Sequence, residues 1–174
     1  MNQIKFHSIG VGLDMAGCPN RCEHCWLGGG PNGHMDFSAL EKTAQAFRPF
    51  ADQFSIDSWY REPDFRADYQ ALYTEERRLS DTHPAHYELA SFWRLCRDEA
   101  YAPWLYSVGL RKCQLTLFGG EAMTDRYVGR PGAYREIMHA IDTLLENGSP
   151  HASRYLSTAR HLLIWHPWNI CVKP

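Results

Sequence analysis

Apolar and polar residues alternate in three short stretches of the chain, and each stretch predicts a β-strand. These stretches are residues 4–12 (IKFHSIGVG), 53–60 (QFSIDSWY) and 110–118 (LRKCQLTLF). Between the first two, Leu40, Ala44 and Phe47 recur at helical spacing, and Pro49 ends the helix that they predict. The order strand, helix, strand is typical of a βαβ unit, whose two strands lie parallel in one sheet.

Three further stretches carry the spacing of amphipathic helices. Residues 67–79 and 86–100 follow the second strand and predict an extra helical hairpin, whose aromatic stripes face the core. Residues 134–146 carry the most regular pattern and are followed by Asn147-Gly148, which is typical of a helix C-terminus. The sequence therefore predicts an α/β fold over residues 1–148, a partial parallel (β/α) barrel of about three βα units plus the hairpin.

Length and composition describe an ordinary globular protein. The chain has 174 residues, of which 44% are hydrophobic and 22% charged, enough for one domain with a sizeable core. Its formal net charge of −2 provides no basic field, so we expect no nucleic-acid partner. The sequence has neither an apolar run of the roughly 20 residues that span a bilayer nor an N-terminal export signal. We therefore predict a cytoplasmic protein without a membrane partner.

Half of the six cysteines lie within eight residues, in the segment Cys18-Pro-Asn-Arg-Cys22-Glu-His-Cys25 directly after the first predicted strand. This crowding, together with the lack of an export signal, argues against a framework of disulfides. The remaining cysteines are far apart in the sequence and are interpreted as ordinary thiols: Cys96, Cys113 and Cys171. The metal-binding potential of the chain is therefore concentrated in residues 18–25, called the cysteine loop below.

Three thiolates at this spacing are suited to two kinds of metal site. They can hold three irons of a [4Fe–4S] cluster and leave the fourth iron open to a substrate or cofactor. Alternatively, the three thiolates and either His24 or His34 can form a tetrahedral Cys3His zinc site. Structural zinc sites usually include a second Cys-x2-Cys pair or a paired histidine motif, and none follows the loop. The spacing therefore favours the cluster over zinc and over plain thiols.

The C-x3-C-x2-C spacing directly after a first strand resembles the cluster loop of the radical SAM family. The resemblance implies that Cys18, Cys22 and Cys25 bind a [4Fe–4S] cluster that cleaves S-adenosylmethionine to a 5′-deoxyadenosyl radical. It also implies that His24 occupies the position of a family aromatic residue near the adenosine part of the cofactor. An ordinary loop histidine is the alternative interpretation of His24.

The family's second motif is Gly-Gly-Glu, often followed by Pro, at the end of the second strand, where it binds the amino group of S-adenosylmethionine. A literal Gly119-Gly120-Glu121 is present, but it follows the third predicted strand, more than 90 residues after Cys25. The second strand ends instead in Tyr60-Arg61-Glu62-Pro63, in which both glycines are replaced and Glu62 lies 37 residues after Cys25. We therefore assign Glu62 and Pro63 to the cofactor. The alternatives are Glu121 as the carboxylate and a plain surface charge as the role of Glu62.

Residues 114–134 resemble the third βα unit of peptide-modifying members of the family. A strand that ends in glycine is followed by Asp125-Arg-Tyr, then by Arg130-Pro-Gly-Ala-Tyr, and then by the long helix. The resemblance implies that Gly119-Gly120 is a strand-end turn. It also implies two partners, an electron donor and a substrate such as a peptide or protein, although no residue identifies that substrate.

The family fold is a partial barrel of six βα units, and the resemblance covers roughly residues 4–148. Residues 149–174 contain no Asp or Glu, form an atypical C-terminal tail, and resemble a strand only at 162–165. We expect either a shortened or frame-altered product, or a half-barrel whose open sheet edge is completed by a partner chain. The sequence therefore predicts a protein of the radical SAM enzyme type. A non-catalytic iron–sulfur or zinc module and an inactive fragment are the alternatives.

Overall fold

Two parallel strands open the fold, as the alternating pattern predicts. Residues Phe6–Gly12 form β1, and Ala51–Asp57 form β2. Helix α1, Ser38–Phe47, connects them, and a short 3₁₀ turn, Arg48–Phe50, leads from α1 into β2. The predicted βαβ unit is therefore confirmed.

The computed structural model describes most of the chain. Its described residues are 4–25, 27, 30–58, 61–62, 65–83, 90–110, 113–147, 153–157 and 168–173. For residues 114, 153–157 and 168–173 only the backbone is described. The predictions made for Pro63, Gly148 and residues 162–165 lie outside the described residues.

The chain forms two units, each with its own core. The first unit comprises Met1–Cys18 and Gly30–Ala85, and the second comprises Pro19–Gly29 and His86–Pro174. In the first unit, α1 and helix α2 (Tyr69–Leu79) pack against β2. The side chains that they bury together are Met15, Leu40, Ala44, Phe54, Ile56, Leu72 and Leu79. Because burial of a large apolar side chain contributes about 1.5–3 kcal/mol, this core holds the strands and helices of the unit together.

Within its described residues, the second unit combines four helices with a three-stranded antiparallel sheet. The helices are α3 (Phe92–Leu95), α4 (Tyr101–Ser107), α5 (Glu121–Val128) and α6 (Ala133–Asn147). The strands are β3 (Cys113–Leu117), β4 (Ser153–Ser157) and β5 (Trp168–Lys173), in the order β3-β5-β4. Helix α6 packs against all three other helices and against β3, and it buries Ile137 and Ile141 completely.

The prediction of a helix over residues 86–100 is wrong for the described part of that stretch. Only Phe92–Leu95 is α-helical there, and a second helix, α4, begins at Tyr101. The carboxylate of Asp98 accepts a hydrogen bond from the N–H of Ala100 at 3.1 Å, which turns the chain. Pro103 lies in the first turn of α4, where a missing N–H donor costs nothing, so the sequence favours a new helix at this point.

The third predicted strand exists, but it does not extend the parallel pair. Strand β3 pairs antiparallel with β5, with Leu115 opposite Ile170, and β5 lies in the predicted tail. The described residues therefore form a mixed α/β fold with six α-helices and a parallel sheet of two strands, without a closed barrel. None of the described helices combines the length and the apolar character that a membrane span requires.

Candidate functional site

The cysteine loop is shared between the two units. Cys18 ends a segment of the first unit, whereas Cys22 and Cys25 belong to the second. All three side chains are half-buried, and none forms a disulfide.

The main chain of Cys18 is held by the side chain of Asn32. The N–H of Cys18 donates to Asn32 Oδ1 at 3.1 Å, and Asn32 Nδ2 donates to the carbonyl of Cys18 at 3.0 Å. Asn32 therefore pairs with this residue as a neighbouring strand would, using both ends of its amide.

The residue before Cys18 is a glycine for a steric reason. Gly17 has a φ of +87°, which residues that carry a Cβ rarely adopt. A Cβ at this position would also lie 2.4 Å from Asn32 Oδ1. The N–H of Gly17 donates to Asp14 Oδ1 at 3.1 Å, so the turn into the cysteine loop is fixed from two sides.

Arg61 joins the elements that surround Gly17 and Cys18. Its Nε donates to Asp14 Oδ2 at 2.7 Å, and its Nη2 donates to the carbonyl of Pro31 at 3.0 Å. The guanidinium is almost fully buried, with 6% of the side chain exposed. Arg61 follows β2 in the chain, and its side chain ties this segment to Asp14 and Pro31.

Glu62, the predicted cofactor carboxylate, lies next to the residue that precedes the first cysteine. Its N–H donates to the carbonyl of Gly17 at 3.1 Å, and its own carbonyl accepts the N–H of Phe65 at 2.9 Å. The residue is half-buried. The structure therefore bonds the main chain of Glu62 to Gly17, which precedes Cys18 in the chain, whereas Pro63 lies outside the described residues.

Residues 20–25 lie against the C-terminal end of α5 in the second unit. The N–H of Arg21 donates to the carbonyl of Val128 at 2.9 Å, and the N–H of Glu23 donates to the carbonyl of Tyr127 at 2.8 Å. Helix α5 ends at Gly129, whose φ is +69° and whose missing Cβ would meet the carbonyl oxygen of Arg21 at 2.7 Å. The carbonyl groups that a helix leaves unpaired at its end therefore hold this part of the cysteine loop.

Arg130 connects the loop to helix α6. Its Nε donates to Oδ1 of the buried Asn20 at 3.1 Å, and its Nη2 pairs with Glu136 at 2.5 Å. Glu136 also pairs with Arg97. Burial by itself raises the pKa of Glu136, but the hydrogen bonds from Arg130 and Arg97 outweigh it and hold that pKa below its ordinary value. This carboxylate therefore stays ionised and keeps Arg130 aligned with Asn20.

Cys96 lies beside the same carboxylate. Its Sγ donates to the main-chain carbonyl of Glu136 at 3.2 Å. Burial, reinforced by the charge of Glu136, raises the pKa of the Cys96 thiol to about 11. Cys96 is therefore a protonated thiol at neutral pH, in agreement with its interpretation as an ordinary thiol.

Asp125 connects α5 to the start of α6. Its carboxylate accepts the N–H of Gly132 at 2.6 Å and the N–H of Tyr134 at 2.8 Å. Burial works to raise the pKa of Asp125, but these two backbone donors outweigh it and keep the pKa below its ordinary value. The Asp-Arg-aromatic segment thus has a structural role, because its aspartate caps the long helix that follows.

His24 belongs to an aromatic group in the second unit. Its ring lies 4.9 Å from the ring of Phe118, and Phe118 stacks on Tyr127 with centroids 5.2 Å apart. Phe118 is the residue directly after β3, and Tyr127 lies in α5. The exposed ring of His24 is therefore held in place from one side, which is compatible with its predicted contact to a cofactor ring.

The alternative cofactor carboxylate, Glu121, is the first residue of α5. Its side chain is half exposed and pairs with Nε of Arg135 at 3.0 Å. Gly119 and Gly120 lie between β3 and α5, and Gly119 has a φ of +124°. The two glycines therefore form the strand-end turn that the sequence predicts.

The cysteine loop has the donor chemistry of an iron–sulfur site, since three thiols within eight residues suit a cluster. Over the described ranges, however, no three His, Cys, Asp or Glu side chains are arranged to hold a metal ion. The same finding applies to a zinc site made of the cysteines with His24 or His34, since these residues are part of the described ranges.

Sequence reasoning missed the side chains that hold the loop, namely Asp14, Asn32, Arg61 and Arg130. Asn32 stands in the glycine-rich segment after the loop, where Asn and Gly are typical of turns, so its polar role gave no separate signal. Arg130 was noted only as the first residue of the Arg130-Pro-Gly-Ala-Tyr segment, and this gave no indication of its contact with Asn20. No protein-family model matches the chain, and no curated protein sequence matches it.

Proposed function

We propose that this chain is a protein of the radical SAM type, which binds a [4Fe–4S] cluster through Cys18, Cys22 and Cys25 together with S-adenosylmethionine. The observation that carries the proposal is the C-x3-C-x2-C loop directly after β1, with thiols that form no disulfide. The chemistry that a bound cluster supplies in such a protein is one-electron reduction of the sulfonium, which releases methionine and a 5′-deoxyadenosyl radical.

The residues of the chain itself bind and orient the two groups. Glu62 is the carboxylate that pairs with the cofactor ammonium, because its main chain is bonded to Gly17, next to the first cysteine. His24, whose ring rests on Phe118, provides the surface for the adenosine part. Glu121 is the alternative carboxylate, but it follows β3, more than 90 residues after Cys25.

The partners in this proposal are an electron donor and a substrate of the peptide or protein class. The argument for a peptide substrate is the resemblance of residues 114–134 to the third βα unit of peptide-modifying members. The finer fold belongs to the same proposal. It is a partial (β/α) barrel, with a partner chain that supplies further strands to the open sheet edge.

Metal analysis of the chain, reconstituted without oxygen in the presence of iron and sulfide, tests the proposal. We expect about four irons per chain and the broad visible absorbance of a cluster. Cys22→Ala should lose both, whereas Cys96→Ala, which removes a protonated thiol outside the loop, should keep both. One zinc per chain would instead favour the non-catalytic module, and a full cluster in Cys22→Ala would overturn the ligand assignment.

A second experiment tests the cofactor carboxylate. Glu62→Gln and Glu121→Gln make the same chemical change at the two candidates. Loss of one charge-assisted hydrogen bond costs about 1.5–3 kcal/mol, so Glu62→Gln should weaken S-adenosylmethionine binding roughly 10- to 100-fold. Glu121→Gln should leave the affinity unchanged, and the reverse result would move the assignment to Glu121. A loaded chain that never cleaves the cofactor under reduction would be an inactive fragment.

A further inference from the structure

We propose that Asn32 is the residue that positions Cys18 as a cluster ligand, an inference that rests on the function proposed above. Asn32 bonds both the N–H and the carbonyl of Cys18, at 3.1 and 3.0 Å. Two hydrogen bonds to one residue fix its peptide planes, and these planes set the direction of the Cα–Cβ bond. The side chain of Asn32 therefore determines the direction in which the Cα–Cβ bond of Cys18, and with it the thiol, leaves the main chain.

The space around Gly17 is matched to this arrangement. The main chain of Gly17 approaches the Asn32 side chain so closely that a Cβ would lie 2.4 Å from Oδ1 and 2.9 Å from Cγ. The left-handed backbone at Gly17 is what permits this approach. Glycine at position 17 and asparagine at position 32 are therefore two parts of one arrangement around the first cysteine.

Arg61 holds Asn32 in this position. Its Nη1 lies 3.4 Å from Asn32 Oδ1, and its Nη2 donates to the carbonyl of Pro31, directly before Asn32. The same guanidinium pairs with Asp14, which accepts the N–H of Gly17. The guanidinium is almost completely buried, so the link does not depend on a mobile surface side chain.

This arrangement serves ligand positioning more than global stability. Asn32 itself is exposed and buries no apolar surface, so truncating it leaves the core of the first unit unchanged. Residues that orient metal ligands typically change metal affinity by roughly 10- to 100-fold when they are removed. We expect Asn32→Ala to have that effect on iron retention.

The test compares the wild-type chain, Asn32→Ala and Asn147→Ala after identical reconstitution. Asn147→Ala is the matched control, because it removes an exposed asparagine side chain that makes one hydrogen bond, to the carbonyl of Thr143. The first measurement is the chelator concentration that removes half of the iron. It should fall roughly 10- to 100-fold in Asn32→Ala and stay unchanged in Asn147→Ala.

The second measurement uses the chain without metal. Alkylation of each cysteine, followed by mass spectrometry of the peptides, should be faster at Cys18 in Asn32→Ala and unchanged at Cys22 and Cys25. A merely structural role would instead accelerate all three and lower the melting temperature. If Asn32→Ala does not fold, Asn32→Asp decides. It keeps the acceptor for the Cys18 N–H but places an anionic oxygen opposite the Cys18 carbonyl, so it should lose part of the iron retention.

The outcomes separate the two proposals. A wild-type chain that takes up no iron overturns the proposed function and this inference together. A wild-type chain that holds its cluster, with Asn32→Ala equally resistant to the chelator, overturns the inference alone. Uniform acceleration of alkylation at all three cysteines also overturns it.

Discussion

The two parts of the cysteine loop are held by different kinds of interaction. Around Cys18 the main chain is bonded by polar side chains, those of Asn32 and Asp14, which Arg61 links. At Arg21 and Glu23 the main chain of the loop is bonded to main-chain carbonyls in the last turn of α5, and side-chain contacts at Asn20 and Glu23 lie beside these bonds. Side-chain contacts are removed by single substitutions, whereas main-chain contacts are broken only by moving a whole element. The two parts should therefore respond differently to mutation.

The largest effect is expected where the main-chain contact itself is blocked. Gly129→Ala places a Cβ 2.7 Å from the carbonyl oxygen of Arg21 at a φ of +69°, so both strain and a collision arise. We expect the free energy of unfolding to fall by about 3 kcal/mol in urea denaturation. Gly109→Ala is the matched control, because its φ is +101° but no atom lies within 4 Å, and it should lose only about 1 kcal/mol. If both variants lost the same unfolding free energy, the collision with the Arg21 carbonyl would not contribute to the loss.

A smaller effect is expected at Gly17, because the atoms that a Cβ meets first belong to the Asn32 side chain. Gly17→Ala should cost about 2 kcal/mol, and Asn32→Ala in the same chain should relieve about 1 kcal/mol of that cost. The measurement is a double-mutant cycle of unfolding free energies. Strict additivity would show that the main chain of Asn32, and not its side chain, limits the space.

Asp125→Ala should lower stability by about 1 kcal/mol at neutral pH, because it removes the cap of α6. The pKa of Asp125 is lowered in the folded chain, so its contribution is complete above the unfolded pKa, about 4, and is lost as the pH falls through the folded value. Urea midpoints of both proteins between pH 7 and pH 2 measure this. The advantage of the wild type should be constant above about pH 5 and shrink in acid. An advantage that persists unchanged in acid would contradict the role of the carboxylate.

The smallest effect is expected at Arg126, which pairs with Glu23 across 3.2 Å. The arginine side chain is 72% exposed, and exposed ion pairs contribute little. Arg126→Ala should change the unfolding free energy by less than about 0.5 kcal/mol, within the scatter of thermal denaturation at physiological salt. A loss as large as that of Asp125→Ala would mean that a side chain, and not the α5 main chain, holds the loop at Glu23.

The sequence predicted individual helices and strands better than the way in which the strands pair. The period of apolar residues located β1, β2, α1, α2 and α6 to within a few residues. The reason is that β2 and the three helices each bury one face, and β1 packs the partly buried Ile9 and Val11 against the core of the first unit. It could not predict that β3 pairs with β5, since the pairing of strands is decided by distant segments and not by the pattern within each. Helix α5 was missed because its eight residues carry only a weak apolar period.

The sequence indicated the proposed ligands of the candidate site, but not the side chains that hold the cysteine loop. Cysteine spacing marks the thiols directly, because the chemistry of a cluster demands that residue type. Asn32, Asp14 and Arg61 act through a few polar contacts, and the same residue types are common in surface turns that have no such role. The position of Glu62 followed from the end of β2, whereas its main-chain bond to Gly17 required the structure.

Cys96 provides the chain with an internal reference for oxidation chemistry. The thiolate is the form of cysteine that attacks peroxides and disulfide reagents, and a thiol with a pKa of about 11 is almost entirely protonated at neutral pH. Cys96 therefore remains reduced under mild oxidation. In air-exposed preparations, the fraction of Cys96 that is oxidised therefore gives a baseline. The sulfenic acids or mixed disulfides found at other cysteines can be compared with that baseline. Damage confined to the cysteine loop would then be distinguishable from general unfolding, which removes the burial that raises the pKa of Cys96 and makes this thiol reactive as well.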